Sequence, residues 1–467
     1  MRRLSFIIIS LLAASSSVMA QKLTLDECRK MALEHNKALE SARVQEEKLT
    51  SDVKSYRANY MPKLDIMALD AYRWGSADLT LPMNDIAKGM LTQMAPALLQ
   101  SGMMNQQQLM GLSQLQLQDP SLEFKPKNVF VGAATLTQPL YTGGKITAAY
   151  EMSKIGKEMA ASNVRLTESQ VIVNTTEAYL LAVKAKQLTE VARSYKALLD
   201  ELQKNVDAAV KHGLKTRNDA LKVQVKRNEV ELNIQKADNA YRLACMNLCQ
   251  VTGLDLNSNI SVDENSVKET GIGSDAKALS QASIESRPEF SILSNKTKLA
   301  QKKVKLVQSD YLPTVAAIGS YSYLDGMELA GKKLFKGNGA FSVGVTVKIP
   351  VIGYLTEGVH KTRSARAEQR IAQLEQEELN EKMTLELTQC ANNYSESVLE
   401  MDITRKSTIQ AEENLKMSKQ QYEVGLEPLS DYLEAQALWQ SAKANEIEAR
   451  YQNQLAYMKY LKAKGEL

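Results

Sequence analysis

The sequence predicts a mainly α-helical fold with a small β part, built from one outline that occurs twice along the chain. In each copy a polar helical run ends at a proline motif, Tyr60–Pro62 or Tyr311–Pro313, and a strand of alternating apolar and polar residues follows. A second strand, a very long charged helix and a Gly-Leu turn come next, with the turns at Gly213 and Gly425. The two outlines lie roughly 250 residues apart, which is the period of a duplicated domain rather than of a solenoid repeat.

Residues 1–20 predict a secretory signal peptide. Arg2 and Arg3 precede an apolar run from Leu4 to Ala14, and the small residues of Val18–Ala20 suit a cleavage site. A retained N-terminal anchor is the alternative, but this apolar run is short for a segment that spans a membrane. We therefore expect an exported chain.

Charge and hydropathy bear on two questions: whether the protein binds nucleic acid, and whether a transmembrane helix follows the signal peptide. Lysine and arginine total 58 and aspartate and glutamate total 54, so the chain lacks the basic excess that binds phosphate backbones. Beyond the signal peptide, no apolar run reaches the length of about 18 residues that predicts a transmembrane helix. We expect neither a nucleic-acid partner nor a transmembrane helix.

Four alternating segments predict the strands. In the first copy a helix at residues 23–59 leads to strands at 63–74 and 128–138, and in the second copy the strands are 314–324 and 339–348. Each strand has about 10 residues, which suits a tilted membrane strand with its apolar side towards lipid. An ordinary half-buried hairpin is the alternative. Aromatic residues near the strand ends and the exported context favour membrane strands.

A long stretch at residues 76–127 separates the first two strands and has no counterpart of similar length in the second copy. It is rich in glutamine and contains six of the 19 methionines: Met83, Met90, Met94, Met103, Met104 and Met110. We expect an irregular connection with partial helix, in which methionine provides adaptable packing. A Cu(I) site is the alternative, because thioether sulfur is a soft ligand.

Two proline-free helical stretches, residues 145–210 and 356–424, each turn back along a second helix after the Gly-Leu turn. Apolar residues at alternating spacings of three and four on both arms predict antiparallel coiled-coil hairpins. A polar stretch between the copies predicts a linker. The predicted organisation is a signal peptide at 1–20, a first repeat at 21–254, a linker at 255–275 and a second repeat at 276–467.

No group of residues indicates catalysis, a cofactor or a metal site. The three histidines lie far apart, and neither a Cys-x-x-Cys pair nor a phosphate-binding loop occurs. A metal bound by Cys245 and Cys249 would lack further ligands nearby. We expect a protein that is not an enzyme, and we interpret the four cysteines as buried small residues: Cys28, Cys245, Cys249 and Cys390.

Several motifs together resemble the TolC-like outer-membrane efflux family, and the resemblance covers both halves of the chain. The segment Gln138–Lys145 is similar to the family's strand-to-helix signature, and Ser286–Glu289 is similar to the motif that opens its second copy. The turns Gly213–Asp219 and Gly425–Asp431 resemble the tips of its helical hairpins, each with an aspartate six residues after the glycine. The order of these motifs is more specific than any one of them.

The resemblance implies a homotrimer in the outer membrane. Four strands from each chain would complete a twelve-stranded β-barrel, and the helical hairpins would form an α-barrel that extends into the periplasm. The implied function is passive conduction in a tripartite efflux system, in which a periplasmic adaptor and an inner-membrane pump supply drugs or other small toxic molecules. The alternatives are a duct for type I protein secretion or heavy-metal efflux and, from a different class, a periplasmic coiled-coil adaptor.

The resemblance also predicts where the adaptor binds and where the insertion lies. Residues 76–127 would lie at the extracellular mouth. A glycine after a helix simply allows the chain to reverse, and we expect the tips to combine this role with adaptor contact. The predicted contact residues are His212, Gly213, Leu214, Lys215, Thr216, Val424, Gly425, Leu426 and Glu427.

Overall fold

The computed structural model describes residues 21–72, 77–101, 104–119, 121–124, 128–266, 284–326, 328–329, 332–333, 337–350 and 353–467. The predicted signal peptide at 1–20 and part of the predicted linker, residues 267–275, lie outside the described residues. The chain forms two compact units. The first comprises the chain up to Lys54, Tyr150–Val304 and Arg363–Leu467, and the second comprises Ser55–Ala149 and Lys305–Thr362.

The fold is mainly helical with a small β part, as the sequence predicts. The helices are α1 (Leu25–His35), α2 (Lys37–Ala58), α3 (Met83–Gln100), α4 (Gln106–Ser113), α5 (Lys145–Lys211), α6 (Arg217–Thr252), α7 (Pro288–Ser309), α8 (Val359–Glu423) and α9 (Leu429–Lys464). The strands are β1 (Gln21–Leu23), β2 (Lys63–Tyr72), β3 (Ala77–Thr80), β4 (Ser121–Phe124), β5 (Asn128–Tyr141), β6 (Ile260–Val262), β7 (Thr314–Asp325), β8 (Glu328–Leu329), β9 (Lys332–Lys333) and β10 (Asn338–Lys348). None of the helices in the described ranges has the length and apolar character to cross a membrane.

The single helix predicted at residues 23–59 is two helices, because the chain breaks at Asn36. Asn36 has an extended backbone, and its side-chain Oδ1 accepts hydrogen bonds from the N–H groups of Ala38 (2.9 Å) and Leu39 (3.3 Å). An asparagine that accepts these bonds caps the start of the next helix. Before α1, the short strand β1 pairs in parallel with β6, a contact that the sequence pattern does not reveal.

One hydrophobic cluster of the first unit lies around Tyr179 on α5. This side chain is fully buried and packs in one cluster with Leu23 and Val262. Its hydroxyl oxygen lies 2.9 Å from the carbonyl oxygen of Leu23, 2.8 Å from that of Asp263 and 2.7 Å from Ser266 Oγ. These bonds satisfy a buried hydroxyl and tie α5 to the β1 and β6 pair.

Three of the four cysteines lie in this same core. Cys28, Cys245 and Cys249 are buried, whereas Cys390 is half-buried, and all four thiols are free. Burial raises the pKa of the Cys28 thiol to about 12. A thiol with such a pKa is protonated at neutral pH, so Cys28 acts as a small core residue. The prediction of burial is confirmed for three of the cysteines and is wrong for Cys390.

The second unit contains an antiparallel four-stranded sheet with the order β10-β7-β5-β2. Its register contains two adjacent rows of contrasting polarity that point to opposite faces. One transverse row of neighbours is apolar: Ile66, Ala134, Tyr321 and Phe341. The adjacent row, on the opposite face, is polar: Asp65, Thr135, Ser320 and Ser342. At these rows the sheet has an apolar side and a polar side, although Met67 and Leu69 follow Asp65 on its side of β2. The edges of the sheet are β2 and β10.

The insertion at residues 76–127 is more regular than the sequence predicts. It contains α3 and α4, and its strands β3 and β4 join a second antiparallel sheet with the order β3-β4-β8-β9. The start of α4 is a capping box, in which the Asn105 side chain accepts from the N–H of Gln108 at 2.9 Å. Capping thus stabilises α4 within a segment that the sequence predicts to be irregular with partial helix.

Candidate functional site

The two helical hairpins of the first unit reverse at turns of the same geometry. In the first hairpin, α5 ends at Lys211 and Gly213 has a left-handed backbone with a φ of 72°. The N–H of Gly213 donates to the carbonyl oxygen of Val210 (3.0 Å), and the N–H of Leu214 donates to that of Ala209 (2.9 Å). This pair of bonds is the Schellman motif, which satisfies the last carbonyl groups of a helix.

The second hairpin repeats these bonds at the same offsets. Helix α8 ends at Glu423, and Gly425 has a φ of 79°. The N–H of Gly425 donates to the carbonyl oxygen of Tyr422 (3.1 Å), and the N–H of Leu426 donates to that of Gln421 (2.9 Å). The equivalent glycines of the two repeats therefore perform the same reversal.

The two return helices begin differently. Thr216 caps α6, and Asp219 closes a capping box by accepting from the Thr216 hydroxyl at 2.8 Å and from its N–H at 3.2 Å. These two hydrogen bonds lower the pKa of the Asp219 carboxyl. Before α9, Glu427 instead accepts from the Ser418 hydroxyl at 2.8 Å, which holds the turn against α8.

The tips expose apolar side chains to solvent. Leu214 is 77% exposed and Leu426 is 81% exposed. In a Schellman motif the residue at this position commonly packs back onto its own helix, but neither leucine does so. Lys215 Nζ lies 4.9 Å from the centre of the Tyr422 ring, which places the two tips side by side. Each tip thus presents an exposed leucine side chain, and the two tips are adjacent.

A hydrophobic cluster packs between the helices that adjoin the two tips. The Tyr422 and Tyr432 rings stack with their centres 5.1 Å apart. The fully packed members of the cluster come from α5, α6 and α9: Leu202, Val206, Val223, Leu429 and Tyr432. Because residues of both hairpins share this cluster, the two turns are held in a fixed arrangement.

A surface groove of about 600 Å³ lies between the first turns of α6 and α9. Its apolar lining includes Leu221, Val225 and Leu433. Leu221 and Leu433 each follow their Gly-Leu turn at the same distance in sequence, as Val225 and Ala437 do further on. The groove is therefore built from equivalent positions of the two repeats. The predicted contact residues do not include it, because matching offsets in the sequence do not show that these side chains meet.

Of the nine predicted site residues, Lys215 is half-buried beside the Tyr422 ring, and the other eight divide into two groups. Gly213, Thr216, Gly425 and Glu427 shape the turns through backbone conformation and hydrogen bonds. His212, Leu214, Val424 and Leu426 are exposed on them. Over the described part of the chain, His, Cys, Asp and Glu side chains form no group of three or more that could hold a metal ion. The predicted residues therefore form two turns with exposed side chains.

A four-stranded sheet and two equivalent helical hairpins are the elements that the resemblance to the TolC-like outer-membrane efflux family implies for one chain. The sequence pattern of the outer membrane efflux protein family matches residues 28–254 and 279–465. The chain therefore belongs to the outer membrane efflux protein family. This membership confirms the predicted function as an outer-membrane efflux channel and the predicted outer-membrane location.

Relatives of known structure have the same fold. The outer membrane channel CmeC of Campylobacter jejuni is 18% identical, with a TM-score of 0.75 over 95% of this chain and 85% of that one. VceC of Vibrio cholerae is 14% identical, with a TM-score of 0.71 over 94% of this chain and 96% of that one. A comparison of sequences also finds the outer membrane protein TolC of Vibrio cholerae, which is 21% identical over 66% of this chain and 70% of its own length.

Proposed function

We propose that three copies of this chain form the passive outer-membrane channel of a tripartite efflux system, in which the helical tips receive a periplasmic adaptor coupled to an inner-membrane pump. The cargo that we infer is drugs or other small toxic molecules. The observation that carries this proposal is the sheet of the second unit, which has one apolar face, one polar face and two unpaired edges.

The sheet supports a barrel shared between chains. Its apolar face is open to the surroundings, since Ile66 is 76% exposed and Phe341 and Val343 are each 74% exposed. Lipid would cover this face, and the polar row would face a water-filled lumen. Unpaired edge strands are not tolerated in lipid, because their N–H and C=O groups would have no partners. Threefold symmetry would pair β2 of one copy with β10 of the next and leave no edge.

The assembly is tested by fractionating cells that express the full chain. We expect the protein in the outer-membrane fraction, and after detergent extraction we expect a mass three times that of one chain by light scattering. A β-barrel closed between chains should keep this mass in mild detergent without crosslinking, since dissociation would expose strand edges. Recovery as a soluble periplasmic monomer would contradict the proposal.

The tips support adaptor binding through their apolar surface. Leu214 and Leu426 are exposed on adjacent tips, and the groove lined by Leu221 and Leu433 lies after the turns. Exposed apolar side chains next to a preformed groove are typical of a site where helices of a partner pack. The partner expected here is the helical hairpin of a periplasmic adaptor.

We expect Gly213→Val to weaken adaptor contact at least about tenfold while the assembly stays intact. The left-handed backbone at Gly213 strains a β-branched residue, so the turn that presents Leu214 would change. No atom lies within 4 Å of the position that a Cβ would occupy, so the effect arises from the backbone alone. The measurement is photo-crosslinking from position 426 in cells, followed by mass spectrometry of the captured protein, together with drug accumulation.

Gly213→Asn is the matched control, because asparagine tolerates the left-handed conformation better than other non-glycine residues. It should retain crosslinking and efflux. Unchanged crosslinking and efflux in Gly213→Val, with the oligomer intact, would show that the tips do not contact the adaptor. The trimer proposal would then still stand.

A further inference from the structure

The insertion between β2 and β5 presents an apolar surface that the efflux function does not explain. Helix α3 has two apolar faces. Ala87, Leu91 and Leu98 on one face are partly buried. The other face is open to solvent, with Met90 62% exposed and Met94 56% exposed. We call this exposed surface the methionine face, and it comprises Met83, Ile86, Met90 and Met94.

The methionine face is held in place at its base. The N–H of Asn84 donates to Asp119 Oδ1 at 3.2 Å, and the N–H of Leu117 donates to Asn84 Oδ1 at 2.7 Å. These bonds join the first turn of α3 to the chain that returns towards β4. The face is therefore part of an ordered element, and its exposure is a property of the fold.

The position of the insertion follows from the strand connections. The sheet pairs Lys63 with Thr137 at one end and Tyr72 with Asn128 at the other. The helices join the strands at the first end, and the insertion joins them at the second. Strands β3, β4, β8 and β9 continue β2, β5, β7 and β10 in the same order. A strand of about 10 residues is long enough to cross a bilayer, and β2 by itself has this length. Helix α3 comes after β2 in the chain and therefore lies past the membrane-spanning part.

The composition of the insertion favours a second copy of the chain over lipid as the occupant. Between residues 79 and 118 the charged residues are Asp85 and Lys88, and there is no aromatic residue. Helices that lie on a membrane have several lysines or arginines on the polar face and aromatic anchors at the interface. A contact around a symmetry axis brings equal residues together, which repels charges but suits neutral side chains. Methionine adapts to irregular contacts of this kind.

We propose that the methionine face of α3 is a self-contact surface: within the proposed trimer, on which this inference rests, it packs against the insertion of a second copy at the external end of the barrel. Helix α3 directly follows β3, which is an edge strand of its sheet as β2 is of the other, and the trimer requires a neighbouring chain at the β2 edge. Three insertions around one axis would cover their apolar surfaces with one another and narrow the channel at its outer mouth.

The experiment compares Met94→Cys with Thr92→Cys in the full-length chain. Thr92 is also exposed on α3 but lies on the opposite side from Met94, so it is the matched control. Three native cysteines are buried and Cys390 is half-buried, and the wild type therefore serves as the background. Purified protein in mild detergent is treated with a short bismaleimide, and covalent dimers are counted after denaturation. The mass before denaturation is measured in parallel.

We expect Met94→Cys to form dimers at least about tenfold faster than Thr92→Cys, because effective concentration is high only across a contact. A trimeric Met94→Cys protein that does not crosslink above the control would overturn the self-contact alone. If the introduced thiol of that protein also resists a water-soluble maleimide in membranes, the face contacts lipid and the self-contact is likewise overturned. Monomeric mass for every variant, the wild type included, would overturn the proposed trimer and this inference with it.

Discussion

Gly143→Ala is expected to destabilise the second unit by roughly 3 kcal/mol and to remove most folded protein from the outer membrane. Gly143 has a φ of +63°, and a Cβ there would lie 2.7 Å from Leu312 Cβ and 2.8 Å from the carbonyl oxygen of Ser309. Both atoms belong to the backbone or are attached directly to it, so no side-chain rotation can relieve the overlap. The measurement is the midpoint of denaturant unfolding and the folded yield in membranes.

The surroundings of Gly143 limit relief by backbone movement. Lys145 Nζ lies 2.7 Å from Asp310 Oδ1, and Gln138 Nε2 donates to the carbonyl oxygen of Tyr60 at 3.0 Å. The junction therefore joins β5 and α5 to the ends of the polar helices of both repeats. Close backbone approach explains why the motif Gln138–Lys145 carries glycine at this point.

Gly144→Ala is the control for this prediction. Gly144 also has a positive φ, +86°, but no atom lies within 4 Å of the position of an added Cβ. Its substitution should cost only the conformational strain of about 1–2 kcal/mol. Equal losses for the two variants would mean that close contact at Gly143 does not control folding at the junction.

Val345→Arg is expected to make the free energy of membrane insertion about 2–4 kcal/mol less favourable, which is the cost of arginine on the lipid face near the bilayer centre. Val345 pairs with Ala317 in the apolar face of the sheet and is 63% exposed in the single chain. The proposed barrel would place this side chain in the hydrocarbon. The measurement is the denaturant midpoint for folding into lipid vesicles, together with the amount of trimer in the outer membrane.

Thr346→Arg is the matched control, since the next residue along a strand points to the opposite face. Thr346 is exposed and pairs with Ala316 on β7. In the proposed barrel it faces the lumen, where arginine stays hydrated, so insertion should be close to that of the wild type. A larger loss for Thr346→Arg than for Val345→Arg would reverse the assigned faces of the sheet.

Much of the candidate site was predictable because each tip depends on its near neighbours. The Gly-Leu pairs at 213 and 425 predicted chain reversal, and both form the same Schellman bonds. The family resemblance placed Thr216 and Asp219 in the first turn, where the structure shows that they form a capping box. Adaptor binding at these residues stays a prediction. The groove was missed because Leu221 and Leu433 are far apart in the chain and meet only through helix packing.

The fold shows the same division between local and distant causes. The alternation in β10 marked its apolar face, and Pro62 and Pro313 marked the starts of strands. The sequence pattern did not predict the break at Asn36, although its cause is local. One capping asparagine is hard to recognise within a long polar helical pattern. The pairing of β1 with β6 was missed because two strands of three residues carry no periodic signal.

The linear sequence of this protein shows three properties. The chain is duplicated, its strands alternate between apolar and polar residues, and its long helices reverse at the Gly-Leu turns. Side-chain period and backbone conformation follow from chain geometry within a few residues, so they are visible along the chain. The order β10-β7-β5-β2, the shared groove of the two hairpins and the methionine face of the insertion emerge only from the folded chain. These features depend on which distant segments pack together, and that choice is made by the summed burial and hydrogen bonding of the whole fold.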